Sequence, residues 1–87
     1  MRVAIAGGGW VAEARHLPCF LAQPGVTVLG VIDPRPGRSE SLARRFRLPR
    51  AACADRFQEV PWLAEADALV VTTPPATHFA WIAAALV

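Results

Sequence analysis

The sequence predicts an α/β fold, a doubly wound parallel sheet of about four strands, left incomplete within 87 residues. Three observations predict it. Short β-branched apolar runs alternate with segments of helical period, the pattern of parallel strands joined by crossover helices. A glycine triplet, Gly7-Gly8-Gly9, stands directly after the first apolar run, and an acid, Asp33, closes the second.

Arg2 to Ala6 is apolar beyond its first residue, as expected for a strand covered on both faces. After the glycines, Val11, Ala14, Leu17 and Leu21 recur at three- and four-residue steps, so a helix is expected from Trp10 to about Ala22. Pro18 lies inside it and should kink it or end its first half. Gln23-Pro24-Gly25 is a turn. Val26 to Ile32 is the second strand, and Pro34 to Gly37 a loop. Ser39 is a candidate N-cap for a short helix to Phe46, ahead of Pro49. Arg50 to Ala54 reads as a weak third strand, and Phe57 to Leu63 as a short helical or irregular stretch around Pro61. Asp67 to Thr73 is the fourth strand, broken by Pro74 and Pro75. A last helix starts at Ala76 or Thr77 and runs to Val87.

Composition narrows the function classes. Hydrophobic residues make up 54% of the chain and charged residues 18%, enough for a core and too apolar for a disordered segment. The net charge is +2, and many arginines fall between Arg35 and Arg56. No aromatic residues interleave with them for base stacking, so a solvated face is preferred to a nucleic-acid surface. Cys19 and Cys53 form no metal-ligand spacing and sit in apolar sequence, so both are expected to be buried free thiols. Reduced thiols, no secretion signal and no membrane-length apolar run point to the cytoplasm.

The glycine loop carries chemistry. Gly7, Gly9 and Ala12 match G-x-G-x-x-G/A between a strand and a helix, the context the motif requires. Gly7 permits the tight turn, Gly9 admits a pyrophosphate close to the backbone, and Ala12 lets the helix pack on the strand. The N–H groups of the helix start, around Trp10 and Val11, would face the phosphates. Asp33 stands where such Rossmann-like folds place the acid that accepts hydrogen bonds from a ribose. That acid favours NAD. Arg35 and Arg38 keep NADP open, since a guanidinium just past the strand can hold a 2′-phosphate.

A third element, Thr72-Thr73-Pro74-Pro75-Ala76-Thr77-His78, follows the fourth strand, beyond whose carboxyl end ligands of open sheets bind. Together with Gly7-Gly8-Gly9-Trp10, His16-Leu17-Pro18 and Val31-Ile32-Asp33-Pro34, it resembles the Gfo/Idh/MocA oxidoreductases over nearly the whole chain. The resemblance implies a two-domain enzyme much longer than this chain. Such an enzyme uses NAD or NADP to oxidise or reduce sugars, polyols and related small molecules. It implies that residues 1–87 are a partial dinucleotide-binding domain, with the C-terminal substrate domain absent. It also implies that Thr73, Pro74 and His78 line the cofactor site. Pro75 stands where the family often has asparagine. The family's catalytic lysine lies in a Glu-Lys-Pro motif beyond the next strand, and this chain contains no lysine.

His78 reads equally as a packed residue at a helix start, and His16 as a structural residue near Pro18. Trp62, Trp81 and the four phenylalanines are expected in the core or in domain contacts. Two other readings stay open: a non-catalytic nucleotide-binding sensor module, and a truncated product without activity. The fourth strand should form a sheet edge, through which self-association is expected.

Overall fold

The computed structural model describes residues 1–85 of the chain. Four parallel strands, β1 (Arg2–Ala6), β2 (Thr27–Ile32), β3 (Arg50–Ala52) and β4 (Ala68–Val71), form one sheet in the order β3-β2-β1-β4. This is the first half of the doubly wound arrangement. The chain moves outward from β1 to β3 and then crosses back to place β4 on the other side of β1.

Each sheet face carries its own core. The side chain alternation of β1 divides it: Ile5 packs with Ala12, Leu17, Val28, Val31 and Leu42 on one face. Ala4 and Ala6 pack with Ile32, Val60, Leu63 and Trp81 on the other. The first face is covered by the first helix and α2 (Arg38–Phe46), the second by α3 (Pro75–Ala85) and two 3₁₀ segments, Phe57–Glu59 and Pro61–Glu65. A strand buried on both sides explains why β1 reads as an unbroken apolar run. Small residues at 4 and 6 leave room for the Trp81 indole, which is buried.

The first helix shows what Pro18 does. Residues Ala12–His16 are wound as a π-helix, and the N–H of Leu17 reaches back five residues to Ala12 O. The regular α-helix, α1 (Leu17–Leu21), begins only there, with Pro18 in its first turn. Widening the preceding turn accommodates the ring and the missing donor, which would otherwise clash with an i−4 carbonyl. β2 carries an irregularity: Val3 pairs with Val28 but Ala4 with Gly30. A Cβ at Gly30 would lie 2.4 Å from Arg50 O, so only glycine lets β3 approach β2 here.

Several expectations change in detail. Ser39 is not the N-cap of α2. Gly37 holds that position with φ 78, and Ser39 is fully buried in the first turn. A left-handed glycine starts the helix without a side-chain cap. α3 starts earlier than expected because Pro75 takes the first helical position, where a missing N–H costs nothing. Its expected continuation to Val87 lies outside the described residues. Cys19 and Cys53 are exposed, not buried. Cys19 lies on the solvent side of the first helix, and Cys53 follows β3 with its thiol toward Pro34 O. Trp62 and Phe57 pack against the core, whereas Phe79 is 82% exposed. Among the described residues, no helix is long and apolar enough to cross a membrane.

Candidate functional site

The carboxyl ends of β1, β2 and β4 open on one cavity of about 650 Å³. Its walls include Gly7, Gly9, Asp33, Thr73 and Pro74, five residues singled out from sequence. The cavity lies beside the β1–β4 crossover, where open sheets bind ligands.

Each glycine of the loop has a different reason. Gly7 has φ 104, and a Cβ there would lie 2.6 Å from the Thr72 carbonyl carbon. Its N–H donates to Ile32 O at 2.7 Å, so it binds β1 to β2 while β4 crowds its other side. Gly8 donates its N–H to Asp33 Oδ2 at 2.8 Å. Around Gly9, a Cβ would meet nothing within 4 Å. The space beside Gly9 is therefore open to a ligand rather than filled by protein. Glu13 N bonds Gly9 O at 3.1 Å to begin the helix, so the amides ahead of it lack intrahelical acceptors. Ala12 is fully buried against the sheet, as its small size predicts. The side chains of Trp10 and Val11 are exposed, so their contribution to the loop comes from the backbone at the helix start.

Asp33 is buried and saturated. Oδ2 accepts from Gly8 N and Arg35 Nη2, both at 2.8 Å. Oδ1 accepts from Arg35 N at 2.8 Å and Arg35 Nε at 2.9 Å. Burial alone would raise its pKa. The Arg35 guanidinium and the two backbone donors outweigh burial and hold the carboxyl at about 2, against a usual 3.8. Asp33 is thus ionised at neutral pH.

Arg38 and His78 serve the loops rather than the cavity wall. Arg38 donates through Nε to Gly8 O and through Nη2 to Glu13 Oε1 at 3.0 Å, and Arg45 also bonds Glu13. It braces the glycine loop from the helix side. His78 Nε2 donates to Thr73 O, holding the loop after β4 against the start of α3. Thr72 Oγ1 ties that loop to β1 through Gly7 O at 2.8 Å and Ala6 O at 3.1 Å. His16 stacks on Phe20 and stays structural.

Sequence reasoning missed Pro34, Asp55 and Trp81 as cavity walls, whereas Thr77 lies in the segment after β4 that it placed there. Asp55 had a readable signal, being the first acid beyond β3, as Asp33 is beyond β2. Trp81 had none, since the packing of α3 is what brings it to the cavity.

A dinucleotide's residues can be tested on two features of this cavity. Beside Gly9 a cradle lies open that a larger side chain would fill. The Thr73 hydroxyl is buried without a hydrogen-bond partner among the described residues, which leaves a polar group awaiting one. The open glycine cradle and the orphaned hydroxyl around one cleft fit a nucleotide cofactor.

Fold and site therefore define a nucleotide-binding α/β domain of the doubly wound class. Residues 1–87 match, over their full length, the family described as "Oxidoreductase family, NAD-binding Rossmann fold", and the chain belongs to this Gfo/Idh/MocA family. A structure of a Gfo/Idh/MocA family oxidoreductase from Vibrio cholerae is similar at 20% identity with a TM-score of 0.74. That match covers 90% of this chain and 24% of the other. A mutant 3-ketoreductase from Actinomadura kijaniata, in complex with TDP-benzene and NADP, is similar at 29% identity with a TM-score of 0.78. That match covers 99% of this chain and 26% of the other. The chain thus spans about a quarter of the length of these neighbours. No curated protein matches it.

Proposed function

We propose that this chain is the cofactor-holding part of an oxidoreductase that transfers hydride to or from a sugar, polyol or related small molecule. The observation that carries the reading is the open cradle at Gly9 beside a buried, ionised Asp33 in one cavity. In this reading, the backbone amides at Trp10 and Val11 face the pyrophosphate, with Gly7 and Gly9 giving it room and Ala12 seating the helix. Asp33 takes the adenosine ribose. Thr73 and Pro74 border the cofactor, and the Thr73 hydroxyl gains the partner it lacks. Arg38 and His78 hold the two loops in place. The nicotinamide, when bound, supplies the hydride chemistry, and this chain's residues bind and orient. The fixed negative charge of Asp33 favours NAD over NADP. The substrate class rests on the family likeness. A cytoplasmic setting is supported by the two free thiols.

Calorimetric titration with NAD and NADP tests this directly. We expect binding of both, tighter for NAD. A Gly9→Val variant that remains folded should lose binding, because its branched side chain fills the cradle. Affinity unchanged in that variant would remove the glycine loop from the site.

A further inference from the structure

We propose that two copies of this chain pair through a matched knob and pocket on α3, with Phe79 of each protomer seated in the pocket beside Ala80 of its partner. The inference does not rest on the dinucleotide reading. Its surface is also separate from the exposed edge of the sheet.

A second cavity, of about 320 Å³, opens where α3 packs beside the 3₁₀ segment Phe57–Glu59. Asp55, Arg56, Phe57, Gln58, Ala80 and Trp81 line it. A cavity of about 150 Å³ already holds a benzene ring, so an aromatic side chain fits between these walls. Phe79 stands next to Ala80 on the same helix and is 82% exposed. A lone exposed apolar residue is ordinary, but α3 as a whole is not. Its sequence, Pro-Ala-Thr-His-Phe-Ala-Trp-Ile-Ala-Ala-Ala, holds no Asp, Glu, Lys or Arg. A helix on a protein surface keeps charged residues on its outer side, and one that is apolar all round is covered on both. Trp81 packs the inner side of α3 on the sheet core, while Phe79 and Ile82 stay exposed on the outer side.

Shape and charge select a second copy as the cover. Knob and pocket belong to adjacent residues of one helix, so a two-fold axis beside α3 satisfies both at once. Such a contact closes at two copies, since each protomer spends its knob and its pocket on one partner. The pocket rim carries an acid and a base side by side, Asp55 and Arg56. Asp55 makes no ion pair among the described residues, and Arg56 reaches Glu59 only at 3.8 Å. The same axis lets Asp55 of one protomer face Arg56 of its partner, so the surface is complementary to itself in charge. Elsewhere like charges would meet: the chain carries a net +2, and Arg44 and Arg47 at the end of α2 make no ion pair among the described residues. Two copies approach without that repulsion along α3. The patch is small, because Phe79 supplies roughly 150 Å² of the roughly 800 Å² per partner that a stable interface buries. The pairing is therefore weak, with a dissociation constant on the order of 100 μM.

The test is sedimentation equilibrium of the full chain without cofactor, from about 10 μM to about 1 mM. Wild type is compared with Phe79→Ala, which deletes the knob, and Ala80→Gln, which fills the pocket mouth without adding apolar surface. Each variant should raise the dissociation constant at least about tenfold. Leu21→Ala removes exposed apolar surface from the first helix instead and should change it by less than about twofold. Circular dichroism checks that each variant is folded. If Ala80→Gln does not fold, Phe79→Ala carries the test alone, since its side chain is exposed and packs little of the core. A wild type that stays monomeric at the highest concentration overturns the proposal. Phe79→Ala that associates as strongly as wild type also overturns it and leaves the sheet edge as the contact. Equal weakening by Leu21→Ala and Phe79→Ala overturns it too, since association would then follow exposed apolar area and not this knob.

Discussion

The backbone N–H of Gly8 donates to Asp33 Oδ2 at 2.8 Å, a buried bond that joins the glycine loop to the end of β2 across 25 residues of sequence. The acid at the end of β2 thus also shapes the glycine loop, so the two halves of the candidate site are tied together. Its pKa lies at about 2 against the usual 3.8. A carboxyl with a lowered folded-state pKa stabilises the protein above its unfolded value and loses that stabilisation as pH falls through the folded one. We expect Asp33 to contribute about 2 kcal/mol at neutral pH, lost mainly between about pH 4 and pH 2. Acid unfolding followed by circular dichroism should show this loss in the wild type. In Asp33→Asn the neutral-pH stability should be lower, and the fall over that interval shallower. Equal acid profiles would deny Asp33 this role.

Gly7 and Gly9 should respond to the same substitution by very different amounts. Gly7→Ala places a Cβ 2.6 Å from the Thr72 backbone at φ 104, and both strain sources act on backbone that cannot move aside. We expect a loss of about 3 kcal/mol or more. Gly9→Ala meets open space, and its stability should change by less than about 1 kcal/mol. Thermal melts of the two variants decide this. Similar losses for both would mean that the loop is constrained as a unit rather than residue by residue.

What the sequence made legible was whatever depends on local spacing. The strand-glycine-helix context set β1, the loop and the first helix, and Asp33 followed from its position after β2. Contacts across space were not legible. Gly30 looks like an ordinary apolar-run glycine until Arg50 O is found 2.4 Å from where its Cβ would be. Arg35 and Arg38 looked equivalent as 2′-phosphate ligands, yet one lies on Asp33 and the other braces Gly8 O. The cysteines were misjudged because their sequence neighbours are apolar, while exposure depends on which side of an element a residue occupies.

The end of α2 offers a stabilising change. Arg47 has φ 57 and ψ 47, and Leu48 N donates to Ala43 O at 2.8 Å, the six-to-one bond of a Schellman motif. Its left-handed position favours glycine, and a non-glycine residue there costs about 1 kcal/mol. Arg47→Gly should therefore raise the melting temperature by roughly 4–8 °C, less whatever the more flexible unfolded chain takes back. Arg47 makes no ion pair among the described residues that would offset the gain. A lowered melting temperature would show that the entropy of the unfolded chain outweighs the relief.

The last prediction concerns the chain by itself: it should self-associate and show no dehydrogenase activity. Among the described residues, β4 pairs with β1 on one side only and stands at the sheet edge. Its sequence is Ala-Leu-Val-Val, with no lysine or proline to blunt the edge, and all four residues are partly exposed. Unpaired backbone groups along an apolar strand are a template for a second chain. Phe79 and Ile82 of α3, which covers β4, add exposed apolar surface beside it, at 82% and 48% exposure. Light scattering should therefore give a mass above 9.3 kDa that grows with concentration. A monomer at high concentration would refute the edge argument. Catalysis should fail for a separate reason. These 87 residues contain no lysine that could transfer a proton. Bound cofactor alone does not position a substrate, and orientation is a large share of any rate enhancement. Cofactor reduction measured over a panel of polyols should stay at background even where calorimetry shows the dinucleotide bound. Turnover of any polyol by these residues would mean that another group, such as Asp55 at the cavity wall, moves the proton.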